Sequence, residues 1–212
     1  MKLYGYFRSS AAFRVRIGLN LKNLPYDNAF IHLRKGDQSK RDYTAINPQG
    51  LVPALIDGPH VLTQSLAILE YLDETRPEPP FLPKAPVDRA RVRAIALAIA
   101  CEIHPLNNLR VLNYLEKTLG QPQATRDEWY RHWVQQGFSA VEAMLHDART
   151  GRFCHGDTPG LADICLVPQV FNARRVDTPL SPYPRLMKIF EACVKLPAFA
   201  AAEPAKQPDA EG

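Results

Sequence analysis

The chain has 212 residues, 46% of them apolar and 23% charged, which is enough to bury a sizeable core and too apolar for a disordered segment. Its 26 Lys+Arg against 22 Asp+Glu give a net charge of +4, and the cations are scattered, which argues against the basic stripe of a nucleic-acid binder. No apolar run reaches membrane-spanning length and MKLYGYFRSS has no signal-peptide core, so the expectation is a cytoplasmic protein with no membrane and no nucleic-acid partner.

Lys2–Tyr6 reads as a strand, and Ala11–Lys22 as a helix with Ala12, Val15 and Leu19 on one face and its arginines elsewhere. Pro25 closes that helix, and Tyr26–His32 reads as a second strand. A short helix over Ser39–Ala45 stops before Asn47-Pro48. Strands at Ala54–Ile56 and Val61–Thr63 flank Asp57-Gly58, a hairpin signal. Ser65 caps a helix through Glu74, with Leu66, Ile68, Leu69 and Leu72 as its apolar stripe. The order β-α-β-α-β-β-α is that of a thioredoxin-like domain, expected over residues 1–80.

Arg76–Pro86 holds five prolines in eleven residues and reads as a linker. Everything after it is helical in pattern, giving an α/β plus all-α fold with a second, all-helical domain over residues 86–212. One long helix is expected over Asp88–Leu119, kinked at His104-Pro105. Arg126–Ala148 carries Trp129, Trp133 and Phe138 on its buried side. Leu161–Val176 and Pro184–Val194 follow, and Glu203–Gly212 reads as a frayed tail. Cys101, Cys154, Cys165 and Cys193 are far apart, with no C-x-x-C and no paired His/Cys spacing, so no metal site is expected.

The turn Phe7-Arg8-Ser9-Ser10-Ala11 joins a strand to a helix N-terminus, where free N–H groups and the helix dipole favour an anion such as a thiolate. The turn has no cysteine, which excludes a dithiol oxidoreductase. Its two hydroxyls can donate to a thiolate brought by a ligand, or Ser9 or Ser10 can serve simply as the helix cap. Pro53 in Leu51-Val52-Pro53-Ala54 is a candidate cis peptide that would turn the Val52 backbone toward an extended ligand, or a trans proline on an edge strand. Gln64-Ser65 heads a helix and suits a carboxylate, though capping explains the serine equally well. His104, Asn107, Asn108 and Arg110 form a polar cluster past the kink, against the ordinary reading of a satisfied core histidine. Arg8, Arg110 and Arg175 together match a substrate with two carboxylates, because guanidinium forks bind carboxylates bidentately; a solvated Arg174-Arg175 pair is the simpler reading.

Several runs together resemble the zeta class of glutathione transferases. They are Tyr6-Phe7-Arg8-Ser9-Ser10, Arg14-Val15-Arg16-Ile17, Asn47-Pro48, Val52-Pro53, Gln64-Ser65-Leu66-Ala67-Ile68, Gly156-Asp157, Ala162-Asp163, Leu166-Val167-Pro168-Gln169-Val170 and Pro182-Tyr183-Pro184. The resemblance implies a homodimer, and a helical domain that completes a pocket for a small dicarboxylate. It also implies glutathione as cofactor, bound by Ser9, Ser10, Gln38, Val52, Gln64, Ser65, His104 and Asn108. Ser9 would stabilise the thiolate, and Arg8, Arg110 and Arg175 would hold the substrate. The activity implied is glutathione-dependent cis–trans isomerisation of maleylacetoacetate, with maleylpyruvate, or a broader transferase or haloacid dehalogenase, as alternatives. Two positions depart from the class: Ala11 stands where a cysteine is frequent, and Gly160 where a Thr or Ser usually precedes the Asp163 turn.

Overall fold

The structure is a computed structural model and describes residues 1–211. It divides into two compact units: Met1–Phe81 together with the residues from Lys195 onward, and Leu82–Val194.

The first unit is built on four strands, β1 (Lys2–Gly5), β2 (Asp27–Phe30), β3 (Ala54–Asp57) and β4 (His60–Thr63), in the order β2-β1-β3-β4. β1 runs parallel to β2 and antiparallel to β3, and β3 pairs antiparallel with β4. Tyr4 is opposite Ala54, and Ala54 is opposite Thr63. β1 and β4 therefore finish, and β3 begins, at the same end of the sheet. The parallel β2 finishes there too, so every loop that leaves this end is available to one site.

Helix α1 (Ser10–Leu21) connects β1 to β2, and α3 (Ser65–Thr75) follows β4. The expected apolar face of α1 is buried at Ala12, Val15 and Leu19, but so are Phe13 and Ile17 and both arginines. Arg14 is 1% exposed and Arg16 3%. The arginines do lie off the Ala12/Val15/Leu19 face, but that other face is covered too: α1 packs against α3 and also against the helix α9 (Pro197–Ala201), which sequence periodicity does not reveal. Between β2 and β3 the chain makes two 3₁₀ turns, Leu33–Lys35 and Asp37–Ser39, and one turn of helix, α2 (Arg41–Thr44).

The expected second domain at 86–212 differs from the helical unit at its end, because the chain from Lys195 onward packs with the sheet unit. The expected frayed tail is an ordered 3₁₀ turn, Pro204–Lys206, followed by residues bonded to the first unit. Gly212, at the end of that expectation, lies outside the described residues.

In the second unit the long helix expected over Asp88–Leu119 is broken earlier than its proline. α4 (Pro86–Leu97) passes into a π-helical turn, Ala98–Ile103, where the His104 N–H reaches back to the Ile99 carbonyl at 3.0 Å. Pro105 has no N–H to donate and its ring crowds the preceding turn, so the helix widens ahead of it. A 3₁₀ turn, Pro105–Asn107, leads to α5 (Leu109–Lys117), capped by Asn108. Gly137 of α6 (Gln123–Met144) lets Ile103 approach: a Cβ there would be 2.2 Å from the isoleucine side chain. The buried face of α6 is Tyr130, Val134, Phe138 and Val141, while Trp129 and Trp133, expected inside, are only half-buried. α7 (Leu161–Arg175) runs through the centre of this unit, and α8 (Pro184–Val194) packs on it.

Among the described residues no helix is long and apolar enough to cross a membrane, and no cluster of His, Cys, Asp and Glu could hold a metal ion.

Candidate functional site

At the shared end of the sheet, the turn after β1 is closed by the Ser9 N–H donating to the Tyr6 carbonyl at 3.0 Å. Ser9 is the N-cap of α1, and its Oγ accepts from the Ala12 N–H at 3.2 Å. Capping and anion binding are compatible here. A hydroxyl has one donor and two acceptor positions, and the cap occupies an acceptor, so the proton can be given to a negatively charged ligand. Ser10 is the first helical residue and is buried.

The residue before Arg8-Ser9 is held on both sides of its backbone. The Phe7 N–H donates to Asp209 Oδ2 at 2.9 Å, and the Phe7 carbonyl accepts from Arg16 Nη2 at 3.0 Å. Arg16 Nε also donates to the Ala202 carbonyl at 3.1 Å. Burial pulls the Arg16 guanidinium down to about 10, with nearby Tyr26 and Asp209 opposing the shift. It stays protonated at neutral pH.

Ahead of β3, the loop is built by Asn47. Its Nδ2 and the Tyr43 hydroxyl both donate to the Leu51 carbonyl, each at 2.6 Å, while its Oδ1 accepts from the Gln49 N–H at 3.1 Å. Gly50 (φ +62°) lies against the Gln38 carbonyl, 3.2 Å from where a Cβ would be, so it joins this loop to the 3₁₀ turn that carries Gln38. Gln38 Oε1 is buried with no hydrogen-bond partner. The Val52-Pro53 bond is cis, and Val52 lies outside the strand, so its peptide groups are not part of the sheet's ladder. A second cis bond, Glu78-Pro79, was not anticipated from the sequence.

After β4 comes the head of α3. Ser65 is not its cap, contrary to expectation: the N-cap is Gln64, which makes no side-chain capping bond, and Ser65 is the first helical residue. The first N–H groups of α3 therefore lack an intrahelical acceptor and point out of the helix end, where the dipole is positive. The buried Arg14 donates from Nη1 to Ser65 Oγ at 3.3 Å, which leaves the serine proton for a ligand oxygen. Gln64 has φ +68° and ψ 118°, and its Nε2 donates to Gln49 Oε1 at 2.8 Å. A non-glycine residue in such a conformation costs about 1–3 kcal/mol. Gln64→Gly is expected to relieve most of this and to give back about 0.5–1 kcal/mol through the freer unfolded chain. The net expectation is a gain of about 1 kcal/mol in urea unfolding. A loss of stability would show that the Gln64–Gln49 contact outweighs the backbone conformation.

Thus Ser9, Ser10, Val52, Gln64 and Ser65 occupy the loops and first helical positions at one end of the sheet, and the Gln38 turn is packed against the Val52 loop. Arg8 directly precedes Ser9 in the same turn, and the other sequence-selected residues, His104, Asn108, Arg110 and Arg175, belong to the second unit. Asn108 caps α5, accepting the Arg110 N–H at 3.1 Å on Oδ1. Arg110 is exposed in the first turn of that helix, where a cation opposes the dipole, so helix stability does not account for it. His104 ends the π-helical turn and is half-buried. Burial pushes the Tyr130 phenol up while Arg175, in the last turn of α7, opposes the shift, and Arg174 lies over the Phe190 ring at 4.4 Å. Both arginines are exposed, in keeping with the simpler reading, and each also meets an aromatic residue of this unit. Arg14, Arg16, Asn47 and Asp209 were not selected from the sequence. Arg14 and Arg16 carried a detectable signal, two cations in an otherwise apolar helix, while Asp209 had none.

Comparison with known proteins gives a consistent result. Residues 1–74 match the glutathione S-transferase N-terminal domain, and residues 127–192 match the C-terminal domain. A probable maleylacetoacetate isomerase of Vibrio cholerae is 50% identical over 210 residues, covering 98% of this chain and 97% of the relative. A solved structure of a maleylpyruvate isomerase, a bacterial zeta-class glutathione S-transferase with its ligand bound, is 48% identical with a TM-score of 0.98, covering 100% of both chains. A maleylacetoacetate isomerase of Methylobacterium extorquens AM1, solved with malonate and glutathione, is 45% identical with a TM-score of 0.97 and the same full coverage. The chain belongs to the zeta class of the glutathione S-transferase family.

Proposed function

We propose that the protein is a glutathione-dependent cis–trans isomerase that converts maleylacetoacetate to fumarylacetoacetate. The observation that carries this reading is the head of α3, without a side-chain cap, at the same end of the sheet as a turn that has hydroxyls and no cysteine. Such a site can bind and ionise a thiol that it does not itself possess. The residues fit glutathione: the uncapped head of α3 and Ser65 suit a carboxylate, the Val52 backbone suits an extended peptide, and the Ser9 hydroxyl suits sulfur.

When bound, glutathione supplies a thiolate that adds reversibly to the maleyl double bond, so that rotation about the resulting single bond can precede its expulsion. Ser9 and the α1 N-terminus favour the charged form of the thiol and so lower its pKa. Arg8, Arg110 and Arg175 would bind the substrate carboxylates and offset the negative charge that develops on the adjacent carbonyl oxygen. His104 and Asn108 would orient glutathione, with no proton transfer assigned to the imidazole. Kinship with the zeta class supports a cytoplasmic homodimer.

The test is ultraviolet absorbance of maleylacetone and of enzymatically generated maleylpyruvate, with enzyme, in the presence and absence of glutathione. Isomerisation is expected only with glutathione, and Arg110→Ala is expected to raise KM or lower kcat at least tenfold, the value of one lost charge-assisted bond. Glutathione binding without isomerisation of either compound would overturn the proposal in favour of a transferase or dehalogenase. Maleylpyruvate is the second reading, favoured by the TM-score of 0.98 to a maleylpyruvate isomerase, and the ratio of the two rates decides between them.

A further inference from the structure

We infer that Asp209, two residues from the last described one, is a positioning residue for the catalytic turn. It acts through the Phe7 peptide to hold the Ser9 hydroxyl where the thiolate forms. This rests on the reading of Ser9 given above.

Several contacts tie Phe7 and its neighbours to the segment that carries Asp209. Asp209 Oδ2 takes the Phe7 N–H at 2.9 Å, two residues ahead of Ser9. Arg16 joins the Phe7 carbonyl to the Ala202 carbonyl, so both polar groups of Phe7 are tied to the same C-terminal segment, one directly and one through a buried cation. Ala210 packs against the small apolar cluster of Tyr6, Phe7, Tyr43 and Val52, which lies under the turn and the Val52 loop together. Beyond it, Glu211 pairs with His32 and Arg34 on the loop after β2. Each residue of 209–211 thus has its own partner in the sheet unit.

The geometry explains why an acid is used. Phe7 falls between the end of β1 and the cap of α1, so its N–H has neither a strand nor a helix partner. A carboxylate bond to that N–H is shorter and stronger than a neutral one. Removing it frees the peptide plane, and with it the direction of the next two residues. Small misplacement of a catalytic group costs up to about 10²-fold in rate.

The experiment uses the full chain with glutathione bound, and follows thiolate absorbance and kcat against pH for wild type, Ser9→Ala, Asp209→Ala and Asp209→Asn. Thermal unfolding checks that each variant folds. The expected result is that Asp209→Ala moves the rise in thiolate and in kcat to higher pH, with kcat at neutral pH lowered about tenfold. Asp209→Asn, which retains an uncharged oxygen acceptor, is expected to fall between it and wild type. A purely structural tether would lower the unfolding temperature and leave the pH profile in place. If Ser9→Ala moves the profile and neither Asp209 variant does, the inference is overturned while the Ser9 reading stands. If Ser9→Ala also leaves it unmoved, the Ser9 reading fails and the inference fails with it. Should Asp209→Ala not fold, Asp209→Asn carries the same test.

Discussion

Lys22→Met is expected to destabilise the sheet unit by about 3–5 kcal/mol, the range for removing one partner from a buried charge pair. Lys22 follows the last turn of α1, and its side chain is 0% exposed. Its ammonium group has three protons and meets three acceptors: Asp73 Oδ1 at 3.1 Å, the Arg76 carbonyl at 2.6 Å and the Pro79 carbonyl at 2.8 Å. It also lies over the Phe81 ring at 4.1 Å. Methionine fills the same space but leaves two carbonyls and a carboxylate without this donor, at the point where the proline-rich segment leaves α3. Asp73 would keep only the Phe81 N–H, now at 2.7 Å. Lys22→Arg is expected to lose stability as well, because a planar fork does not match three acceptors that converge on one point. The measurement is urea unfolding followed by circular dichroism, and a loss below about 1 kcal/mol, the worth of a surface pair, would refute the assignment.

Ser9→Ala is expected to lower kcat by about 10²–10³, comparable to removing one donor from a developing anion. Two roles of the hydroxyl must be separated, since it also caps α1. Loss of the cap alone costs about 1 kcal/mol of stability. Ser9→Asp separates them, because aspartate caps as well as serine yet repels a thiolate: this variant is expected to be stable and inactive. The Ser9→Ala defect should shrink as pH rises, since the thiol then ionises without help. A defect independent of pH would place the role of Ser9 in binding and not in ionisation.

The sequence carried the strand and helix order of the first unit because its periods are short and its punctuation strong: Asp57-Gly58, Asn47-Pro48 and Pro25 each mark a boundary. The loops that hold Ser9, Val52, Gln64 and Ser65 were legible for the same reason, since each immediately adjoins a recognisable element. Contacts made by distant segments were not legible. Two cations in an otherwise apolar helix mark Arg14 and Arg16 as unusual, but their burial follows only once α9 is known to cover α1, and nothing in a polar tail indicates that Asp209 meets Phe7. The π-helical turn before His104 was missed because a proline marks where a helix fails and not how far back the failure spreads. Ser65 was misread as a cap because Gln64 takes a backbone conformation that only glycine adopts readily.

The return of the chain from Lys195 onward to the sheet unit makes that unit discontinuous in sequence. During synthesis on the ribosome, strands β1 to β4 and helix α3 emerge early, yet the Phe7 peptide and the buried Arg16 cannot acquire their Asp209 and Ala202 partners until the whole second unit and the segment after it have been made. A nascent chain that has not yet reached Asp209 therefore carries a sheet unit in which the turn ahead of Ser9 is unset, so the geometry of that turn is acquired only when the returning segment docks.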